Sequence, residues 1–227
     1  MKISELFYSI QGEGTLVGVP SVFVRTSGCN LRCTWCDTPY TSWNPEGSDM
    51  RHDAILQAVR DFGCRHVVLT GGEPMIAPGV AGLTQLFRQA GLHITIETAG
   101  TVFADVACDL MSISPKLANS TPTEREGGRW AVMHERLRFQ PDVIRKLMAA
   151  HDYQLKFVVA AAGDVTELES IRLELNAPVE KVLVMPEGVT REAMQQRGLW
   201  LAELCKQDGY RFSPRLHIDI WGDKRGV

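Results

Sequence analysis

The sequence predicts a single α/β domain over residues 1–227, built as a partial (β/α)6 barrel with some of its helices reduced. Three observations lead there. Six strand-like runs can be counted from Ser21 onward, most of them followed by a helix with one apolar face. A chain of 227 residues is enough for one large core, and barrel folds use this length without splitting. The segments that carry reactive or ligand-binding side chains all follow strands, so they share the C-terminal mouth where such barrels assemble their chemistry.

Residues 3–10 alternate loosely and end at Gln11-Gly-Glu-Gly14, where glycine allows a tight turn and close backbone approach. Gly18-Val-Pro20 introduces a strand at 21–27, whose apolar pattern Arg25 interrupts. Over residues 51–62, Ile55, Ala58, Val59 and Phe62 fall at i, i+3, i+4 and i+7, a helix that Gly63 ends. Val67–Leu69 reads as a short buried strand running into Thr70-Gly-Gly-Glu-Pro74. Leu83, Leu86, Phe87 and Ala90 mark a second helix, and His93–Thr98 the next strand, with Glu97 near its end. The stretch before Leu110-Met-Ser-Ile113 is too short for a full crossover helix, so a helical layer is missing there. Ser114-Pro-Lys116 follows that strand. Residues 117–140 are polar and read as a variable insertion, an elaborated loop or short helix. Pro141 suits the first turn of a helix carrying Val143, Ile144 and Leu147. Gln154–Val159 is the fifth strand, and Asp164 with Glu167 resembles a capping box opening a helix that reaches Leu175. Lys181–Val184 is the sixth strand, ending at Met185-Pro-Glu-Gly188. Thr190 can cap a helix reaching about Gln207, and a C-terminal segment over 210–227 carries His217.

Composition excludes several function classes. The chain is 44% hydrophobic and 22% charged, as globular proteins are. A net charge of −3 leaves no footprint for direct nucleic-acid binding, so a small-molecule substrate is expected. No charged and then apolar leader is read at the N-terminus, and no run approaches a membrane span. Six cysteines without a secretory context are expected to be reduced thiols, which places the protein in the cytoplasm.

Three of those cysteines lie within eight residues, in Cys29-Asn-Leu-Arg-Cys33-Thr-Trp-Cys36. So tight a loop can set three sulfurs around one metal centre, where a closed structural site uses four ligands. Thiolate ligation favours zinc or an iron–sulfur cluster. One reading is a structural zinc knot in an interaction module, with a fourth ligand from Cys64, Cys108, Cys205 or a histidine. The other is a [4Fe–4S] cluster with one iron left open for a small molecule. Cys64, Cys108 and Cys205 are isolated and read as small core residues. Around this loop, the Gln11 amide suits a pterin or purine edge. Arg25 is either an outward charge or a fork for a carboxylate. Glu97 either bonds a ligand or pairs with an arginine.

The Cys-x3-Cys-x2-Cys spacing, with Trp35 before the third cysteine, resembles the cluster loop of radical S-adenosylmethionine (SAM) enzymes. Gln11-Gly-Glu-Gly14, Cys36-Asp-Thr38, Thr70-Gly-Gly-Glu-Pro74, Ser114-Pro-Lys116 and Leu216-His-Ile-Asp-Ile-Trp-Gly222 narrow the resemblance to the 7-carboxy-7-deazaguanine synthase family. It covers the chain end to end and is patchy only between Leu117 and Pro141. The resemblance implies a radical-SAM barrel and a radical ring contraction of 6-carboxy-5,6,7,8-tetrahydropterin to 7-carboxy-7-deazaguanine with loss of ammonia. The pathway is that of the 7-deazapurines, queuosine among them. It also implies that SAM is regenerated and that no side chain is itself catalytic, the radical being generated on SAM.

By the same resemblance, Cys29, Cys33 and Cys36 hold the [4Fe–4S] cluster and Thr38 contacts Mg2+. Trp35, Asp37, Gly72, Glu73, Ser114, Pro115, Lys116, Met185, Pro186, Glu187 and Gly188 meet SAM. Ile10, Gln11, Gly12, Glu13, Arg25, Thr70, Glu97 and His217 meet the substrate, the C-terminal segment having returned to the active site. A flavodoxin-like electron donor and a homodimer are expected. A radical-SAM activase, which makes a glycyl radical on a partner protein, would share the cluster loop. It would not need Gln11, Arg25 and the tail to build a carboxylate pocket.

Overall fold

Lys2–Ile10 forms β1, a strand that the count from Ser21 leaves out, and it pairs antiparallel with β2, Pro20–Thr26. Phe7 stacks on Phe23 across the pair at 5.0 Å between ring centroids. The computed structural model describes all 227 residues. After β2 come the four-residue α1, Pro39–Ser42, the two-residue β3, Ser48–Asp49, and α2, His52–Asp61. Then follow β4, His66–Gly71, α3, Val80–Gln89, β5, His93–Thr98, and β6, Leu110–Ile113. Next are α4, Ala131–Leu137, α5, Pro141–Ala150, β7, Tyr153–Val159, and α6, Asp164–Glu174. The chain ends with β8, Val182–Pro186, α7, Arg191–Asp208, β9, Arg211–Phe212, and α8, Leu216–Trp221.

The six expected strands are β2, β4, β5, β6, β7 and β8, and all pair in parallel. They sit inside a nine-stranded sheet of order β3-β1-β2-β4-β5-β6-β7-β8-β9. The sheet does not close, and its edges are the two-residue β3 and β9, too short to template further pairing. No helix links β5 to β6, as the short connection requires. Val106, Ala107 and Cys108 instead bury an extended segment where a helix would pack, and Ala107 N–H donates to Thr84 Oγ1.

Side-chain alternation divides each parallel strand between two faces. Val22 and Val24, Val67 and Leu69, Ile94 and Ile96, Met111 and Ile113, Leu155 and Phe157, and Val182 and Val184 join one buried cluster. The helices complete it with Ile55, Val59, Leu83, Phe87, Ile144, Leu147, Leu168, Ile171 and Leu201. The intervening positions, among them Arg25, Thr70, Glu97, Lys156 and Met185, line a cavity on the other face. Burying the apolar set against the helices fixes the register, and so aims every polar residue of these strands the opposite way.

Two local expectations change. Asp164 and Glu167 form no capping box: Gly163 is the N-cap, without a side-chain bond. Asp164 accepts instead from the Ala160 and Ala161 N–H groups and from Asn119, while Glu167 accepts from Ala118 N–H and Arg138. Both carboxylates are drawn to the donors of segment 117–140 and the β7 loop, which tertiary folding brings near. Thr190 does cap α7, accepting from Ala193 N–H at 3.2 Å.

Candidate functional site

Cys29, Cys33 and Cys36 line one wall of a cavity of about 570 Å3 at the C-terminal ends of the parallel strands. The loop that carries them is held by its neighbours. Gly28 N–H donates to Thr41 O, Trp43 Nε1 to Cys33 O and Trp35 Nε1 to Asn119 O. All three thiols are free. Burial pushes the Cys29 thiol up to about 12 and raises Cys33 as well, so these two bare thiols hold their protons. A cationic iron centre held there would offset that burial by taking them as thiolates.

The donor set fits three-point attachment of such a cluster. None of Cys64, Cys108 and Cys205 reaches the cavity: Cys64 donates to Pro20 O, and the other two are buried in the core. His134, near the loop, already has both ring nitrogens engaged. These placements remove most of the fourth ligands that a zinc knot would draw on.

Of the residues expected to meet SAM, Trp35, Asp37, Gly72, Ser114, Lys116, Met185, Pro186, Glu187 and Gly188 line the cavity. Lys116 Nζ is fixed on Ser114 Oγ at 2.8 Å, with its cation 5.8 Å from the centre of the Trp35 ring. Pro115 and Glu73 are not on the cavity wall. Glu73 is buried, and its carboxylate accepts from Thr98 Oγ1 at 2.7 Å, Ala99 N at 2.8 Å and Met75 N at 3.0 Å. It ties the β4 loop to the β5 loop. At Gly72 a Cβ would strike the carbonyl oxygen of Gly28, so this glycine is what lets the β4 loop lie against the cysteine loop.

The residues expected to meet substrate all line the same cavity: Ile10, Gln11, Gly12, Glu13, Arg25, Thr70, Glu97 and His217. Glu97 accepts from Gln11 Nε2 at 3.1 Å and from Thr70 Oγ1 at 2.9 Å. Glu97 thus pairs with no arginine, and β4, β5 and the loop after β1 contribute to one polar cluster. Arg25 turns inward. Its Nε donates to Glu5 Oε2 at 2.8 Å, and the guanidinium lies 5.6 Å from the Phe7 ring centre. Thr38 lies beside Cys36, with Oγ1 3.9 Å from the sulfur. The tail returns because Leu216 N–H donates to Gly12 O at 2.9 Å, which sets His217 against Gly12 with no room for a Cβ there.

Two cations in the cavity went unnoticed in the sequence. Lys156 on β7 forms an ion pair with Glu13 Oε2, and Arg215 Nε holds Glu13 Oε1 at 3.0 Å. Arg215 also bonds Asp37 and the Gly188 carbonyl, so one guanidinium links the β1, cysteine and β8 loops. Burial pushes the Glu13 carboxyl up, but Lys156, Arg215 and His217 outweigh it and hold the group well below the usual carboxylate range. Strand parity could have revealed Lys156, since it lies two residues from Gln154 on the polar face; nothing local marks Arg215.

Comparison with known proteins agrees with this geometry. Residues 23–121 match the model of the radical SAM superfamily, a span that includes the cysteine loop and Ser114-Pro-Lys116. The 7-carboxy-7-deazaguanine synthase of Rhodopirellula baltica is 45% identical over 226 residues, covering 99% of this chain and 88% of the relative. That of Halobacterium salinarum is 44% identical, covering 98% and 91%. The crystal structure of QueE from Escherichia coli superposes with a TM-score of 0.70 at 26% identity, covering 95% of this chain and 94% of that one. The chain therefore belongs to the radical SAM superfamily and, within it, to the 7-carboxy-7-deazaguanine synthase family.

Proposed function

We infer that the protein catalyses the ring contraction of 6-carboxy-5,6,7,8-tetrahydropterin to 7-carboxy-7-deazaguanine, with loss of ammonia. The observation that carries this reading is the joining, in one cavity, of three free thiols and a pocket built of Gln11, Glu13, Arg25, Thr70 and Glu97. When bound, the [4Fe–4S] cluster and SAM supply the radical chemistry that opens the reaction. The residues of the chain bind, orient and exclude water.

Glu97 and Gln11 present acceptors and a donor to a pterin edge, with Thr70 holding the Glu97 carboxylate in place. Arg25 gives its Nε to Glu5, which leaves the terminal nitrogens to take the substrate carboxylate in parallel. Glu13, kept ionised by Lys156 and Arg215, is an acceptor for substrate N–H groups. Ser114 and Lys116 hold the polar groups of SAM over the Trp35 ring. Thr38 would offer a hard oxygen to Mg2+, an ion that would also take oxygen from the substrate carboxylate. A flavodoxin-like donor, a homodimer and a place in 7-deazapurine synthesis belong to this reading through the family resemblance. A cytoplasmic location rests on the six free cysteines; no helix is long and apolar enough to cross a membrane.

The test is anaerobic turnover of iron- and sulfide-reconstituted protein with the tetrahydropterin, SAM, dithionite and Mg2+. The expected result is 7-carboxy-7-deazaguanine formed with SAM recovered. A brown, iron-loaded protein that leaves the tetrahydropterin unchanged would overturn the reading.

A further inference from the structure

We propose that His134 is a positioning residue for the cysteine loop, delivered there by the insertion over residues 117–140; this rests on the loop holding an iron–sulfur cluster. His134 lies on α4 and is completely buried. Its Nδ1 accepts from the backbone N–H of Arg32 at 3.1 Å, so that nitrogen carries no proton. Its Nε2 lies 2.9 Å from Ser120 Oγ, and Ser120 Oγ donates to the Leu117 carbonyl at 2.6 Å. Only one arrangement of protons satisfies every group: Arg32 N–H to Nδ1, Nε2–H to Ser120, and Ser120 O–H to Leu117 O. The imidazole is neutral, and its tautomer is set from both sides.

The target of this chain lies between the first and second cysteines. Arg32 directly precedes Cys33. Thr34, directly after it, donates its own N–H to the Ser120 carbonyl at 2.8 Å. Ser120 thus holds one side of Cys33 through its backbone and the other through His134. Within the loop, Arg32 Nη1 donates to the Cys29 and Leu31 carbonyls at 2.8 and 2.7 Å, while the backbone bonds are long: Cys36 N–H reaches Cys33 O at 3.3 Å, and Leu31 N–H reaches the Cys29 sulfur at 3.3 Å. Trp43 Nε1 holds the Cys33 carbonyl, and the segment 117–140 adds the remaining contacts to Arg32 and Thr34. Arg125 donates to Thr34 O at 3.1 Å, and the Arg32 guanidinium lies 5.2 Å from the centre of the Trp130 ring. A loop so short, flanked by glycine and carrying buried thiols, needs an outside template to keep Cys33 where iron will meet it. Groups that orient metal ligands from behind are commonly worth 10- to 100-fold in metal retention.

Two substitutions separate the halves of the contact. Asparagine sets its amide oxygen near the place of Nδ1, so His134→Asn keeps the acceptor for Arg32. Glutamine sets its amide near Nε2, so His134→Gln keeps Ser120 and leaves the Arg32 N–H unpaired. Both are loaded anaerobically with iron and sulfide beside wild type. The measurements are iron release to a ferrous chelator, the electron paramagnetic resonance spectrum of the reduced cluster, and thermal melting of the cluster-free protein. His134→Gln is expected to release iron on the order of 10-fold faster than wild type and to show an altered spectrum. His134→Asn is expected to stay within about 3-fold. Ser120→Ala, which keeps the backbone contact to Thr34, gives an independent arm and is expected to fall between them. Release at the wild-type rate from His134→Gln and Ser120→Ala overturns the proposal. So does equal loss in the Asn and Gln variants that tracks an equal fall in melting temperature, because that is packing alone. If wild type takes up no cluster, the proposed function falls too; if it does and the variants hold iron as firmly, only this proposal falls.

Discussion

Replacing Lys156 by methionine tests the electrostatic core of the cavity. The lysine side chain is 6% exposed and its partner Glu13 is 13% exposed, so solvent screens this pair weakly. Methionine fills much the same volume and removes only the charge. Glu13 then keeps Arg215, whose Nε lies 3.0 Å away, as its one close cation, and that guanidinium is already shared with Asp37. Stranding one member of a buried pair costs about 3–5 kcal/mol, and the remaining arginine puts this case near ~3 kcal/mol. For a chain of this size each kcal/mol moves the melting temperature by about 2–4 °C, so a fall of roughly 6–12 °C is expected in the cluster-free protein.

The pH dependence has a definite sign. Glu13 is depressed in the folded state, so the unfolded chain takes up the proton first as pH falls. The stabilisation by Lys156 is therefore fully present above the ordinary carboxylate value of 4.5 and is lost as pH falls below it. The gap in melting temperature between wild type and Lys156→Met should narrow at acid pH. Turnover should show a raised KM for the tetrahydropterin, with iron content unchanged. A variant that melts with wild type at pH 7 and keeps its KM would refute the assignment of Lys156 as the counter-ion that holds Glu13 ready.

Three further outcomes follow from the same geometry. In Gly12→Ala the added methyl group would collide with His217, so KM for the tetrahydropterin should rise while cluster content stays at the wild-type level; an unchanged KM would show that His217 has no part in binding. In Glu73→Gln the amide NH2 must face donors that the carboxylate now accepts from, and the cluster-free protein should lose about 1–3 kcal/mol by thermal or denaturant unfolding. Cys33→Ala should lose iron and turnover together, whereas Cys64→Ala, whose thiol bonds only backbone groups by the Pro20 carbonyl, should keep both by metal analysis and assay.

Local pattern was enough for the parallel strands and the helices that cover them, because both periodicities are written in neighbouring residues. His93–Thr98 and Leu110–Ile113 occur with the expected bounds. The three-cysteine loop was legible for the same reason: its cysteines are close in sequence. The missing crossover helix could be read from chain length alone. What neighbouring residues could not disclose is which distant charges meet. Glu13 and Arg215 are 202 positions apart, and Glu73 looks like a ligand-facing acid until the β5 loop is seen to saturate it. Asp164 and Glu167 had the spacing of a cap, yet donors from Asn119 and Arg138, far away in sequence, compete for them. The sequence by itself determined the strand order of polar and apolar faces, and with it the side of the sheet on which chemistry occurs. Only the tertiary structure decided how the charges in that cavity pair, because a buried carboxylate is stabilised by whichever donors the fold brings to it, and those arrive from anywhere along the chain.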